Sequence, residues 1–119
     1  MTSRKEHPIT KTYLDYLDRH ILDVVSGKVD EFKEINQIAE DLAISHQYLS
    51  EIIQKDLGHH PCHFYDHKII EMAKKLLTET QHSVAEVARM LTYDPSNFSK
   101  FFKRFTGTTP NTYRKENTK

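Results

Sequence analysis

The chain of 119 residues is sized for one compact domain, and its 37% hydrophobic and 29% charged residues exclude an intrinsically disordered protein. Lys plus Arg and Asp plus Glu number 17 each, a balance that argues against a uniformly basic nucleic-acid-binding protein. No apolar run reaches membrane-spanning length and the N-terminal residues show no signal-peptide pattern, so we expect a cytoplasmic protein without membrane contact.

The neutral total hides an uneven distribution of charge along the chain. Residues 1–60 carry seven Lys or Arg against eleven Asp or Glu, whereas residues 61–119 carry ten against six. Because phosphates attract Lys and Arg, the second half is expected to dominate the electrostatic capture of any nucleic acid.

The first predicted helix follows Thr10, where apolar residues recur at helical spacing until Gly27 ends the pattern. We expect this helix to cap or bridge the rest of the first half. The polar stretch before it, residues 1–9, is assigned to a disordered leader.

The next two helices are short and separated by a tight break. Ile35 to Leu42 follow the i, i+3, i+4, i+7 pattern, and apolar spacing resumes at Leu49 and runs to Gly58. Ser45 stands where its hydroxyl caps the second helix of this pair. The pair predicts a helix-turn-helix.

A longer fourth helix begins at Pro61, since proline is favoured in the first turn, and it carries an apolar stripe from Ile69 to Leu76. We assign residues 63–79 to a linker helix that joins the two halves rigidly. Cys62 has no partner for an internal disulfide and is expected to be a small half-buried residue at the helix start.

The last part of the chain contains three more predicted helices. Ser83 and Glu86 form a capping box for the fifth helix, Asp94 precedes the sixth, and Pro110 opens a short seventh. Four aromatic residues are expected to form the buried edge of the sixth helix: Phe98, Phe101, Phe102 and Phe105. No strand-like alternation occurs, so the predicted fold class is all-α with about seven helices.

An offset of 49 residues places the second half of this pattern on the first without a gap. Thirteen positions of one copy correspond to positions of the other; Leu49, for example, corresponds to Phe98. Two copies of a helix, a tight turn and a second helix predict a duplicated helix-turn-helix, over residues 10–62 and 80–119, rather than a solenoid, which needs more repeats. The second helix of each copy has the size of a helix that enters one DNA major groove.

Polar side chains lie between the apolar positions of each second helix. They are His46, Gln47, Ser50, Glu51 and Gln54 in the first copy, and Ser96, Asn97, Ser99, Lys100, Lys103 and Arg104 in the second. Gln and Asn suit adenine, Glu accepts from cytosine, and Lys and Arg suit guanine or phosphate. The sequence therefore predicts a monomer that binds specific sites in double-stranded DNA through two helices.

From residue 35 to residue 115 the chain resembles the DNA-binding domain of AraC/XylS-family transcriptional regulators. The resemblance lies in the stretches IAEDLAISHQYLSEIIQKDLG, FYDHKIIEMAKKLL and SVAEVARMLTYDPSNFSKFFKRFTGTTPNTYRK. It implies two homeodomain-like helix-turn-helix subdomains joined by a long helix, recognition helices in successive major grooves, and a role in activating or repressing transcription. The positions that the resemblance implies to be base-facing are Gln47, Ser50, Glu51, Asn97, Ser99 and Lys100.

The resemblance departs at Thr92, where the family usually has glycine. Most members also carry an effector-binding or dimerisation domain, for which this chain has no room. The chain therefore resembles either a short stand-alone member or an excised DNA-binding fragment.

Two other classes of function stay open. Several histidines cluster near Cys62, and His63 and His67 stand four residues apart, a spacing that can ligate a transition metal, so a metal-responsive module is one alternative. The acidic first half leaves a protein-interaction module, with RNA polymerase as partner, as another. No glycine-rich phosphate loop or nucleophile motif occurs, so neither an enzyme nor a cofactor is expected.

Overall fold

The computed structural model describes residues 7–118, which form seven helices and no strand. The helices are α1 (Pro8–Val25), α2 (Ile35–Asp41), α3 (His46–Leu57), α4 (Pro61–Glu79), α5 (Val84–Met90), α6 (Pro95–Thr106) and α7 (Pro110–Asn117). The predicted all-α fold with about seven helices is confirmed. No helix within these residues is long and apolar enough to cross a membrane.

Helix α1 begins earlier than the sequence pattern indicates. His7 is its N-cap, because Nδ1 of His7 accepts a hydrogen bond of 3.0 Å from the backbone N–H of Ile9, and Pro8 opens the first turn. Residues 7–9 therefore belong to the helix and its cap instead of the predicted leader, residues 1–9, the remainder of which lies outside the described residues.

The predicted caps of the helix-turn-helix units are present. The Ser45 hydroxyl accepts from the backbone N–H of Tyr48 at 3.0 Å and starts α3. At the start of α5, the Ser83 hydroxyl accepts from the Glu86 N–H, and the Glu86 carboxylate accepts from the Ser83 N–H. Reciprocal bonds of this kind satisfy two helix N–H groups that would otherwise lack partners.

The two helix-turn-helix units, α2–α3 and α5–α6, share the same backbone turn. Ala43 and Thr92 hold equivalent positions, and both have φ of 62°, in the left-handed region that favours glycine. The residue after each donates its N–H back into the preceding helix, Ile44 to Ala39 at 3.0 Å and Tyr93 to Ala88 at 2.8 Å. The duplication predicted from the 49-residue offset is thus present in the backbone itself.

Thr92→Gly is expected to stabilise the fold by about 1 kcal/mol, because glycine removes the clash of a β-branched residue with left-handed backbone. The melting temperature should rise by about 4 °C in thermal unfolding followed by circular dichroism. Thr92→Ala is the matched control: it keeps a Cβ atom at the same φ and should recover less than half of the gain. An unchanged melting temperature for Thr92→Gly would contradict the assignment of strain to this residue.

Helix α4 is the centre of the molecule, and it begins two residues before the predicted linker of residues 63–79. It packs against α1 and α3 on one side and against α5, α6 and α7 on the other. The Tyr13 hydroxyl of α1 donates to the Pro61 carbonyl at 2.9 Å, and Leu49 of α3 and Phe98 of α6 are fully buried in one continuous core. Since both units pack on the same helix, α4 sets their relative orientation.

The body is flat. Its radius of gyration is 15.7 Å and its extents are 41 × 37 × 21 Å. A compact domain of this length would have a radius near 13–14 Å, about 2 Å smaller than observed. Two lobes on a shared helix account for the difference.

Two expectations about burial need correction. Phe98 and Phe102 are fully buried, but Phe101 and Phe105 are only half-buried, because they lie at the flank of α6 that turns toward α4 and solvent. Cys62 is exposed instead of half-buried, since the first turn of α4 directs it away from the core.

Helix α7 closes the second unit through one side chain. Nε of Arg114 donates to the Leu77 carbonyl of α4 at 2.8 Å, and its guanidinium also donates to the His82 carbonyl before α5. One arginine thus satisfies two backbone acceptors on different segments and fixes α7 against the linker helix.

Candidate nucleic-acid interface

The eleven residues predicted to contact DNA all lie on α3 and α6. Nine are exposed, and the two serines at equivalent positions, Ser50 and Ser99, are half-buried. The apolar residues between them, such as Leu49 and Phe98, point into the core. Each helix therefore presents one polar face to solvent, as the spacing predicts.

The exposed face of α3 is polar but not basic. Gln47 Nε2 donates to Glu51 Oε1 at 3.4 Å, so each of these two side chains has a hydrogen-bond partner on the same helix. A Gln amide and a Glu carboxylate suit adenine and cytosine edges, but the carboxylate repels phosphate. The face is suited to base readout with little electrostatic attraction.

Tyr48 belongs to this face and is absent from the sequence-based set. Its side chain is 46% exposed, an unusual state for a large aromatic residue in this chain, where most aromatic residues are at least half-buried. The 49-residue offset makes Tyr48 the equivalent of Asn97, which the prediction includes. The repeat alone therefore indicates that Tyr48 lies on the polar face of α3.

The exposed face of α6 is basic. Lys100, Lys103 and Arg104 are exposed there, at positions equivalent to Glu51, Gln54 and Lys55 of α3. The replacement of an acidic and a neutral residue by two lysines accounts for the different electrostatic character of the two helices. The second unit therefore carries more positive charge on its exposed face than the first, and positive charge attracts phosphate.

Asp94 organises the N-terminal end of α6. Its carboxylate accepts from the Ser96 hydroxyl at 3.0 Å and from the Ser96 and Asn97 backbone N–H groups. The bond from the Ser96 hydroxyl, with those from the backbone, lowers the pKa of Asp94. Because the hydroxyl hydrogen of Ser96 is used in this cap, Ser96 is available to DNA mainly as an acceptor.

A cleft between α4 and α6 places an acid beside the basic face. It is lined by Asp66, Tyr93, Asn97, Lys100, Phe101 and Arg104. Burial raises the pKa of Asp66, against the opposing effects of Arg104 and two nearby histidines. The carboxylate of Asp66 thus adds an acidic group to the cleft that Arg104 also lines.

His63 and His67, the two histidines with metal-ligating spacing, lie next to each other in a row of imidazole rings. Ring centroids of His63 and His67 are 4.4 Å apart, and the ring of His59 stacks on that of His63 at 4.1 Å. Within residues 7–118 no group of three or more His, Cys, Asp or Glu side chains is arranged to hold a metal ion. The rings of His59 and His63 are stacked, whereas those of His63 and His67 are tilted by 55°.

Comparison with known proteins identifies the class of this site. The family described as "Helix-turn-helix domain" matches residues 38–116. An uncharacterised helix-turn-helix-type transcriptional regulator, YtdP of Bacillus subtilis, is 31% identical over 98 residues, which cover 82% of this chain and 13% of YtdP. The chain spans well under half of the length of the curated relatives that it matches.

Solved structures share the whole arrangement of helices. The C-terminal domain of AraT, a response regulator from Geobacillus stearothermophilus, is 28% identical with a TM-score of 0.83, covering 98% of this chain and 91% of that one. The DNA-binding domain of AdpA, solved in complex with a target DNA, has a TM-score of 0.73 over 92% of this chain and 91% of its own. At 21% identity, that likeness concerns the fold alone.

The chain belongs to the AraC-type family of helix-turn-helix domains. It is a DNA-binding domain of the transcription-regulator class. The family predicted from the resemblance of residues 35–115 is confirmed, and so is the predicted class of function.

Proposed function

We propose that the chain binds an asymmetric site in double-stranded DNA by inserting α3 and α6 into successive major grooves of one face. The duplicated turn within a single chain carries this proposal, since it supplies two recognition helices without a second subunit. Successive major grooves are about 34 Å apart. The longest extent of the molecule is 41 Å, so the body is long enough to reach both grooves.

The two helices would have different roles in DNA binding. The basic face of α6 supplies phosphate contacts through Lys103 and Arg104, and Asn97 and Lys100 are placed to read bases. On α3, the polar residues predicted from sequence and Tyr48 would read bases with little help from charge. An aromatic ring contacts the thymine methyl group, which gives Tyr48 a role in base choice.

We infer that the protein acts in the cytoplasm as a monomer on its site and regulates transcription there. RNA polymerase is a second partner that the acidic first half supports, because residues 1–60 carry a net charge of minus four, seven basic residues against eleven acidic ones. A protein-interaction role that did not involve DNA would survive charge reversal at Lys100 and Lys103.

The test is selection of binding sites from a random pool of duplex DNA at two salt concentrations. We expect one asymmetric motif with two boxes about 10 base pairs apart, the separation of successive grooves. Higher salt should reduce recovery of the motif without changing it, because salt weakens phosphate contacts and leaves base readout intact. A single box would contradict the two-groove arrangement, and no enriched motif would contradict sequence-specific binding.

A further inference from the structure

A row of three histidines begins two residues before α4 and continues into its first two turns. It consists of His59, His63 and His67, with ring centroids 4.1 and 4.4 Å apart. The first and last are exposed and His63 is half-buried. We call these residues the histidine row.

A ring contact joins the histidine row to α6, and the residue that follows the first histidine of the row contacts α3. His67 meets the edge of the Phe105 ring of α6 at 5.7 Å, and Arg104 lies over the same ring at 5.5 Å. At the other end, His60 follows the first residue of the row and contacts the ring of His46, at the start of α3, at 6.2 Å. The row and the adjacent His60 therefore lie between the start of α3 and the flank of α6 where Arg104 covers Phe105.

We propose that the histidine row binds the DNA backbone between the two grooves in its protonated form, so that affinity for DNA rises as the pH falls. This inference rests on the proposed function, because it assigns a phosphate contact to the surface between the two helices. A protonated imidazole donates from both ring nitrogens and carries a positive charge, whereas the neutral ring donates from one.

The surroundings of His63 disfavour its charged form in the free protein. Partial burial, followed by the neighbouring rings of His59 and His67, lowers the pKa of His63, and Asp66 opposes this effect. The other titratable or charged groups around the row are His60 at the N-cap of α4, Cys62 on α4, His46 on α3 and Arg104 on α6.

A phosphate on the row would change this balance. Adjacent imidazolium rings repel each other, and a negative group beside them offsets that repulsion and favours the charged form. Binding then takes up protons, and by linkage the affinity must increase as the pH falls through the range in which the histidines titrate.

The experiment measures affinity for the selected duplex by fluorescence anisotropy at about pH 8 and about pH 6, at constant ionic strength. The test variant is the triple substitution His59→Gln, His63→Gln and His67→Gln, and the control is His82→Gln, an exposed histidine outside the row. Circular dichroism at both pH values verifies that each variant is folded.

We expect the wild type and the control to bind roughly tenfold more tightly at the lower pH, and the triple variant to change less than about threefold, since one phosphate contact is of this order. The salt slope of the triple variant should be smaller by about one at low pH and unchanged at high pH. A pH dependence equal to that of the wild type overturns the inference, as does an equal loss of affinity at both pH values. Wild-type protein that binds no selected duplex at either pH overturns the proposed function, and this inference fails with it.

Discussion

Replacing Lys100 and Lys103 together by glutamate is expected to weaken binding of the selected duplex by about a hundredfold or more at 0.1 M salt. Both side chains are exposed on the outward face of α6, where the first unit has Glu51 and Gln54. The change removes the phosphate contact proposed for Lys103 and the base contact proposed for Lys100, and it adds two repulsions. Anisotropy titrations at several salt concentrations should show the slope of log affinity against log salt reduced by about one, for the phosphate contact of Lys103.

The matched control is the double variant Lys28→Glu and Lys75→Glu. Both lysines are exposed and lie outside α3 and α6, and the net charge changes by the same amount. If net charge alone governed affinity, the two double variants would bind equally weakly, and the assignment of phosphate contacts to α6 would be wrong.

Asn97→Ala separates base reading from phosphate binding on the same helix. Loss of a bidentate amide contact costs about 1–3 kcal/mol of discrimination at one base pair. The salt slope should stay the same, because an uncharged side chain releases no counterion. A uniform loss of affinity across all sequences would place Asn97 against the backbone instead of a base.

Phe102→Ala is expected to lower the free energy of unfolding by about 3–5 kcal/mol, which corresponds to a melting temperature lower by about 10–20 °C. Phe102 is fully buried, and its ring lies 5.9 Å from that of Phe98 and 5.4 Å from that of Tyr113 of α7. Removing it leaves a cavity at the point where α6 and α7 meet. Urea unfolding followed by circular dichroism measures the loss.

The control for this cavity is Phe101→Ala, the neighbouring residue on the same helix. Its ring is half-buried and stacks on Tyr93 at 5.2 Å, so truncation exposes little core and should cost about half as much or less. Equal losses for the two phenylalanines would contradict the observed difference in their burial.

The elements and their duplication were predictable because their causes are local. Helix starts follow from short-range bonds such as that of Ser45, and Gly58 and Gly107 end α3 and α6 in the left-handed conformation. A repeat of apolar spacing specifies the same backbone twice, and the hydrogen bonds of the two turns accordingly recur with the same offset. Conformational strain at Ala43 and Thr92 was not evident, since the sequence does not reveal φ.

Contacts between elements distant in the chain required the tertiary structure. Three features join parts of the chain that are distant in sequence: the cleft that Asp66 and Arg104 line, the ring contacts of His46 with His60 and of His67 with Phe105, and the hydrogen bond of Arg114 to α4. Apolar periodicity shows which face of a helix is buried, but it carries no information about which helix covers that face or at what angle. Local patterns therefore predicted the helices, the turns and the outward faces of α3 and α6. Packing on α4 determined the surface between α3 and α6, which no local pattern predicted.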